Sequence, residues 1–147
     1  GPVALLILEQ ILNDVEYWVS ADKAYIAIKN GRIVQTSGLT NNLIGTTSFE
    51  NSLISDSTYT FLNNYQQPRL DSFKISASVK KKQTDEIVLI NGTKTLTLYE
   101  ETIKNDFVGW NATNRYWMDS NGFIWKSEQN ISPKLPTIYI QITKKPS

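Results

Sequence analysis

The sequence contains no cysteine and no histidine, and each absence closes a set of mechanisms. Without thiol or imidazole the chain cannot build a Ser-His-Asp triad, a Cys-His pair, a thiolate or imidazole zinc site, or a histidine pH switch. Glycine is scarce, seven residues in 147 and never clustered, so no glycine-rich loop cradles a phosphate. An excess of one charge is also missing. With 15 Lys and Arg against 14 Asp and Glu, no broad field exists to hold a polyanion along the molecule, and nucleic acid is not an expected partner. No apolar run approaches the ~20 residues of a membrane-spanning helix. A chain of this length buries roughly two-thirds of its unfolded surface, enough for one domain.

What is present reads as β-structure. Three Asn-Gly dipeptides, Asn30-Gly31, Asn91-Gly92 and Asn121-Gly122, each separate runs rich in β-branched and aromatic residues. This is a strong hairpin signal, because a type I′ turn needs positive φ at both central residues. The paired strands are expected at 24–29 with 32–36, 86–90 with 93–101, and 115–119 with 123–128. Further strands are expected at 3–11, 15–20, 70–80 and 137–143; Leu5, Leu8, Ile11 and Leu12 also fit a helical stripe, but the Asn13-Asp14 turn before a strand-like run favours a hairpin of the first two. Residues 39–45 read as a short helix or a plain connection. The polar stretch from Thr46 to Gln67 reads as a long loop with only residues 59–62 strand-like, and Lys80-Lys81-Lys82 as a solvated loop edge. Gly1-Pro2 resembles the scar of a removed purification tag. The expectation is a single all-β domain over 3–147, an antiparallel barrel-like or sandwich-like fold built from hairpins, since closure hides sheet edges.

Catalysis would have to come from carboxylates, tyrosines, lysines or serines. A glycosidase-like pair drawn from Asp22, Glu100, Glu101, Asp119 and Glu128 is the sharpest enzymatic possibility, yet no spacing among them is diagnostic. Asp22 and Asp119 sit at turns, where such side chains bond their own backbone. No catalytic residue, cofactor or metal is expected. Aromatic rings stack on sugars, but in a β-domain they more often fill the core, which is the expectation for Trp18, Trp117 and Trp125. Trp110, in the Gly109-Trp110-Asn111 segment, is the expected exposed ring. Arg32 carries a five-donor head that holds either a carboxylate of the barrel or one of an acidic glycan, the former being favoured. The residues proposed for glycan or partner contact are Trp110, Tyr116, Arg32 and Tyr17. Three N-x-S/T triplets, at Asn91, Asn111 and Asn130, carry no function in so Asn-rich a chain.

The string Glu16-Tyr17-Trp18-Val19-Ser20-Ala21-Asp22, followed by Asn30-Gly31-Arg32-Ile33-Val34-Gln35-Thr36-Ser37-Gly38-Leu39 and Asn42-Leu43, resembles the YjbF/GfcB family of lipoproteins of group 4 capsule and related exopolysaccharide systems. Tyr116-Trp117-Met118-Asp119, Gly122 to Gln129, Pro133, Ile138, Ile140 and Lys145-Pro146 resemble the same family's closing segment. The resemblance implies a barrel-like domain, lipid-anchored at the outer membrane, facing the periplasm, and touching the membrane only through an anchor whose cysteine is not among these residues. It implies a non-enzymatic accessory whose partners are outer-membrane polysaccharide export proteins, and possible partnership with the polysaccharide itself. The alternatives are a carbohydrate-binding module, which needs exposed rings along one surface, and a polysaccharide-cleaving enzyme, which needs two titratable groups converging in a cleft.

Overall fold

The computed structural model describes residues 4–47 and 56–146, among which there are eleven strands and no helix. The strands are β1 Leu6–Leu12, β2 Val15–Ser20, β3 Tyr25–Lys29, β4 Arg32–Ser37, β5 Asn42–Thr47, β6 Ser57–Gln66, β7 Leu70–Leu89, β8 Gly92–Asn105, β9 Trp110–Met118, β10 Ile124–Gln129 and β11 Ile138–Gln141. Strands β1 to β4 form one antiparallel sheet and β5 to β11 a second, each strand pairing with its sequence neighbours. The seven-stranded sheet curls into a half-barrel, so the all-β, barrel-like architecture expected from the hairpins is the one observed. Bulges at Asn63/Tyr65, Lys81/Thr84 and Ile124/Lys126 add the local twist that such curling requires.

Turn chemistry explains the pairing. Asn13 and Asp14 have φ of 52° and 65°, and Asn30 and Gly31 have 49° and 80°, so both two-residue connections place positive φ at each centre and match the strand twist. The other two Asn-Gly sites depart from that pattern, with positive φ only at Gly92 and Gly122. In the last of them the Asp119 carboxylate organises a longer loop, accepting the Asn121 and Phe123 amides at 2.9 and 3.0 Å.

Three expectations are corrected. Residues 42–47 are strand β5, not a helix or a plain connection, and Ser57–Gln66 is a ten-residue strand within the stretch expected to be loop, of which 48–55 lie outside the described residues. The runs expected at 70–80 and 86–90 fall, apart from Ile90, in one strand of 20 residues, with Lys80 to Lys82 exposed within it beside the bulge. The core lies between the sheets. Ile26, Ile28 and Ile33 of the small sheet pack with Leu43, Phe61, Tyr65, Phe73, Ile75, Ala77, Ile103 and Ile131, so the small sheet covers the concave face of the half-barrel.

Candidate functional site

Strand alternation sends neighbouring residues of β8 and β9 to opposite faces. Glu101, Asn114 and Tyr116 point inward, and Arg32 enters from the start of β4 to meet them. The Arg32 and Glu101 side chains pair at 2.6 Å, and the two residues are 3% and 0% exposed. Asn114 Nδ2 donates to Glu101 Oε1 at 3.0 Å, and Arg32 Nη2 donates to the Tyr59 hydroxyl at 2.5 Å. The guanidinium carbon lies 5.5 and 5.2 Å from the ring centres of Tyr59 and Tyr116, so the cation sits between two π faces. Burial and the neighbouring Glu101 charge push the Tyr116 phenol well above its ordinary range, leaving it a neutral donor. Two buried charges are tolerated only when each is paired and hydrogen-bonded in this way.

The same network stitches the sheets together. Gln129 of β10 accepts from the Ile33 amide at 2.9 Å and donates to the Gly31 carbonyl at 2.8 Å. Ser132 hydrogen-bonds Asn41, and the Tyr65 hydroxyl donates to the Ile131 carbonyl at 2.6 Å, with burial raising its pKa to about 12. Beside Arg32 and Glu101 a cavity of about 30 Å³ remains, lined in part by Asn63, Trp110 and Gln129. Its lining mixes polar groups with apolar side chains such as Leu43, Phe61 and Ile75, and it holds about two waters, too little for a sugar ring.

The residues singled out for contact divide accordingly. Arg32, Tyr116 and Trp110 meet around this one cavity, whereas Tyr17 is half-buried on β2, paired with Ala27 on the small sheet. Tyr116 is 1% exposed, which removes it from any surface contact. Trp110 is not the exposed ring expected of it: it packs against the core, its ring 6.2 Å from that of Phe73. Trp117 and Trp125, expected inside, are instead half-buried. Trp117 lies on the outer face, and Trp125 donates to Asp119 at 2.8 Å with the Lys94 ammonium 4.1 Å from its ring. Trp18 is half-buried against the core. The carboxylates are occupied structurally. Asp22 is bonded by Ser20, Glu101 by Arg32, and Glu100 and Glu128 both by Arg115. Asp119 is slightly desolvated, but donors from Trp125, Phe123 and Asn121 outweigh that and lower its pKa. Among the described residues no three carboxylates gather as a metal would need. Tyr59, Asn114 and Gln129 were not singled out from sequence. Their only signal was polarity at alternate positions of strands, which reads as exposure until the opposite face is known.

The convex face of the half-barrel is ordered by register. Lys80, Glu100, Arg115, Glu128 and Tyr139 are successive partners across β7 to β11, and Trp117, Lys126 and Gln141 form the adjacent row. Arg115 bridges Glu100 at 2.9 Å and Glu128 at 3.4 Å, and Lys82 lies 3.6 Å from Glu100. Lys126 sits 4.7 Å above the Trp117 ring, and Tyr139 is 72% exposed because its neighbours Ile138 and Ile140 take the inward positions on β11.

Known proteins share this architecture. The lipoprotein YmcC of Escherichia coli K12, described in its crystal structure as hypothetical, superposes with a TM-score of 0.89 at 19% identity, covering all of this chain and 80% of its own, which is a likeness of fold. The E. coli K12 protein named uncharacterized lipoprotein YjbF is 25% identical over 137 residues, 88% of this chain, and the chain spans 64% of that relative's length. The model of the family described as group 4 capsule polysaccharide lipoprotein gfcB, YjbF matches residues 1–143, nearly the whole sequence. The chain therefore belongs to the YjbF family of group 4 capsule polysaccharide lipoproteins.

Proposed function

We propose that this domain is a non-enzymatic accessory of capsule or exopolysaccharide secretion, held by lipid at the periplasmic face of the outer membrane, where it docks to a polysaccharide export protein. The observation that carries the docking is the free edge of β1. This strand ends its sheet, and Ile7, Ile11 and Leu12 along it, with Leu5 just before it, are exposed. An open edge offers backbone donors and acceptors to a further strand, and exposed apolar side chains favour that pairing. Glu9 and the irregularity at Leu8/Gln10 keep such an edge from pairing indiscriminately. The occupied carboxylates and the water-sized cavity support action by contact rather than by catalysis.

The test places a photo-crosslinking residue at Ile7 of the full-length protein in the producing bacterium and, separately, the pair Ile7→Lys and Ile11→Lys. Crosslinking to an outer-membrane export protein, with surface polymer in the double variant as low as in a deletion strain, is the expected result. Surface polymer that is indifferent to deletion of the protein overturns the reading.

A further inference from the structure

We infer that the convex face of β7 to β11 binds an acidic polysaccharide chain, with Trp117 and Tyr139 as stacking platforms and Lys126 and Lys80 as its cations. The inference deepens the reading above, and rests on it for the class of polymer.

The geometry begins with ring placement. Trp117 faces outward from β9 opposite Lys126, and Tyr139 faces outward from β11 opposite Glu128. Two strand spacings laterally and two residues along the strand put their Cα positions about 12 Å apart on one face. Flat aromatic faces at such a separation suit two non-adjacent rings of one sugar chain, and their polar edges still take hydrogen bonds. Between them lie Arg115, Glu128, Lys126 and Gln141, donors and acceptors for the hydroxyls of the intervening sugar.

The charges decide which polymer. Glu100 and Glu128 are both satisfied by Arg115, with Lys82 also on Glu100. Lys80 and Lys126 have no ion pair among the described residues, and Lys126 rests on the Trp117 ring instead. The face therefore carries two ammonium groups outside any ion pair, three strands and one row apart, about 16 Å, and its four cations, Lys80, Lys82, Arg115 and Lys126, outnumber Glu100 and Glu128. A sugar carboxylate that takes the Lys126 ammonium leaves the indole face free for the ring that bears it. A neutral polymer uses only the stacking and hydroxyl contacts.

The probes are hyaluronan and alginate hexasaccharides, cellohexaose as the neutral control, and the extracellular polysaccharide purified from the producing bacterium. Each is titrated into the ¹⁵N-labelled full domain and followed by NMR. We expect saturable shifts at the Trp117 indole and along β9 to β11, caused by at least one acidic probe or the native polymer, stronger than those from cellohexaose and weakened as salt is raised. Tyr139→Ala and Lys126→Ala, both surface changes, should each weaken binding, Tyr139→Ala by roughly tenfold. Trp117→Ala should do the same if its spectrum remains folded, and Val88→Ala, on the distant hairpin tip, should change nothing. No shift with any probe, shifts centred elsewhere, or a preference for cellohexaose overturns the inference. If deletion of the protein lowers surface polymer while these titrations are silent, only the polymer-binding face falls. If deletion has no effect, the accessory role falls with it.

Discussion

Glu100 and Glu101 are consecutive residues of one strand, and both are paired with arginine, yet they belong to different physical worlds. Glu100 meets Arg115 on the convex face, where both side chains remain partly in water. Glu101 meets Arg32 inside, where neither does. The outer pair trades hydration for a screened contact and contributes little. The inner pair has already lost its water, so its energy lies in the cost of breaking it. The convex face is thus free to vary and to recognise, while the concave face is committed to holding two sheets together.

That contrast is sharpest in its largest expected effect. Glu101→Ala leaves Arg32 buried without its counter-charge and should cost about 3–5 kcal/mol in denaturant-derived stability. The double change Arg32→Met and Glu101→Leu should recover most of that, and a double variant as unstable as Glu101→Ala would mean that the pair does more than neutralise itself. Gly31→Ala comes next. Its φ of +80° disfavours a side chain, and an added Cβ would lie 2.3 Å from Ile124 Cδ1 and 2.9 Å from its Cβ, so about 2–4 kcal/mol should be lost.

Alkaline pH probes the interior selectively. Tyr65 has a folded pKa of about 12 against 10.0, so its neutral form is favoured on folding. Its contribution is fully present below pH 10 and is lost as pH rises through 12. The linked change is about 3 kcal/mol, and Tyr65→Phe should remove that part of the slope in stability measured from pH 9 to 12. The smallest effect belongs outside: Glu100→Gln should cost about 0.2–1 kcal/mol and shrink further in 1 M salt. A loss as large as that for Glu101→Ala would erase the distinction between the faces.

The hairpins over Asn13-Asp14, Asn30-Gly31, Asn91-Gly92 and Asn121-Gly122 were legible because turn chemistry is local, although only the first two carry positive φ at both centres. Strand β6 was hidden for the opposite reason. Its inward positions Phe61 and Tyr65 are separated by buried Asn63, whose acceptor oxygen is satisfied by Thr46, 17 residues away, so the apolar alternation is interrupted by a polar residue whose partner on β5 is not visible locally. The continuity of β7 was hidden by Lys80 to Lys82, exposed at a bulge where the alternation breaks. The tryptophans were inverted by the same kind of ignorance, since period-2 alternation separates two faces without saying which is covered.

The sequence by itself determined the class of fold, the placement of most hairpins and the family, because each rests on neighbouring residues or on strings that can be read directly. It also removed every mechanism that requires thiol or imidazole. Only the tertiary structure decided that Glu101 is the partner of Arg32, that Trp110 turns inward and Trp117 outward, and that Tyr139 shares a face with Trp117. Those facts depend on which side of the curled sheet the small sheet covers, and that is settled by long-range packing of Ile26, Ile28 and Ile33, not by any local run of residues.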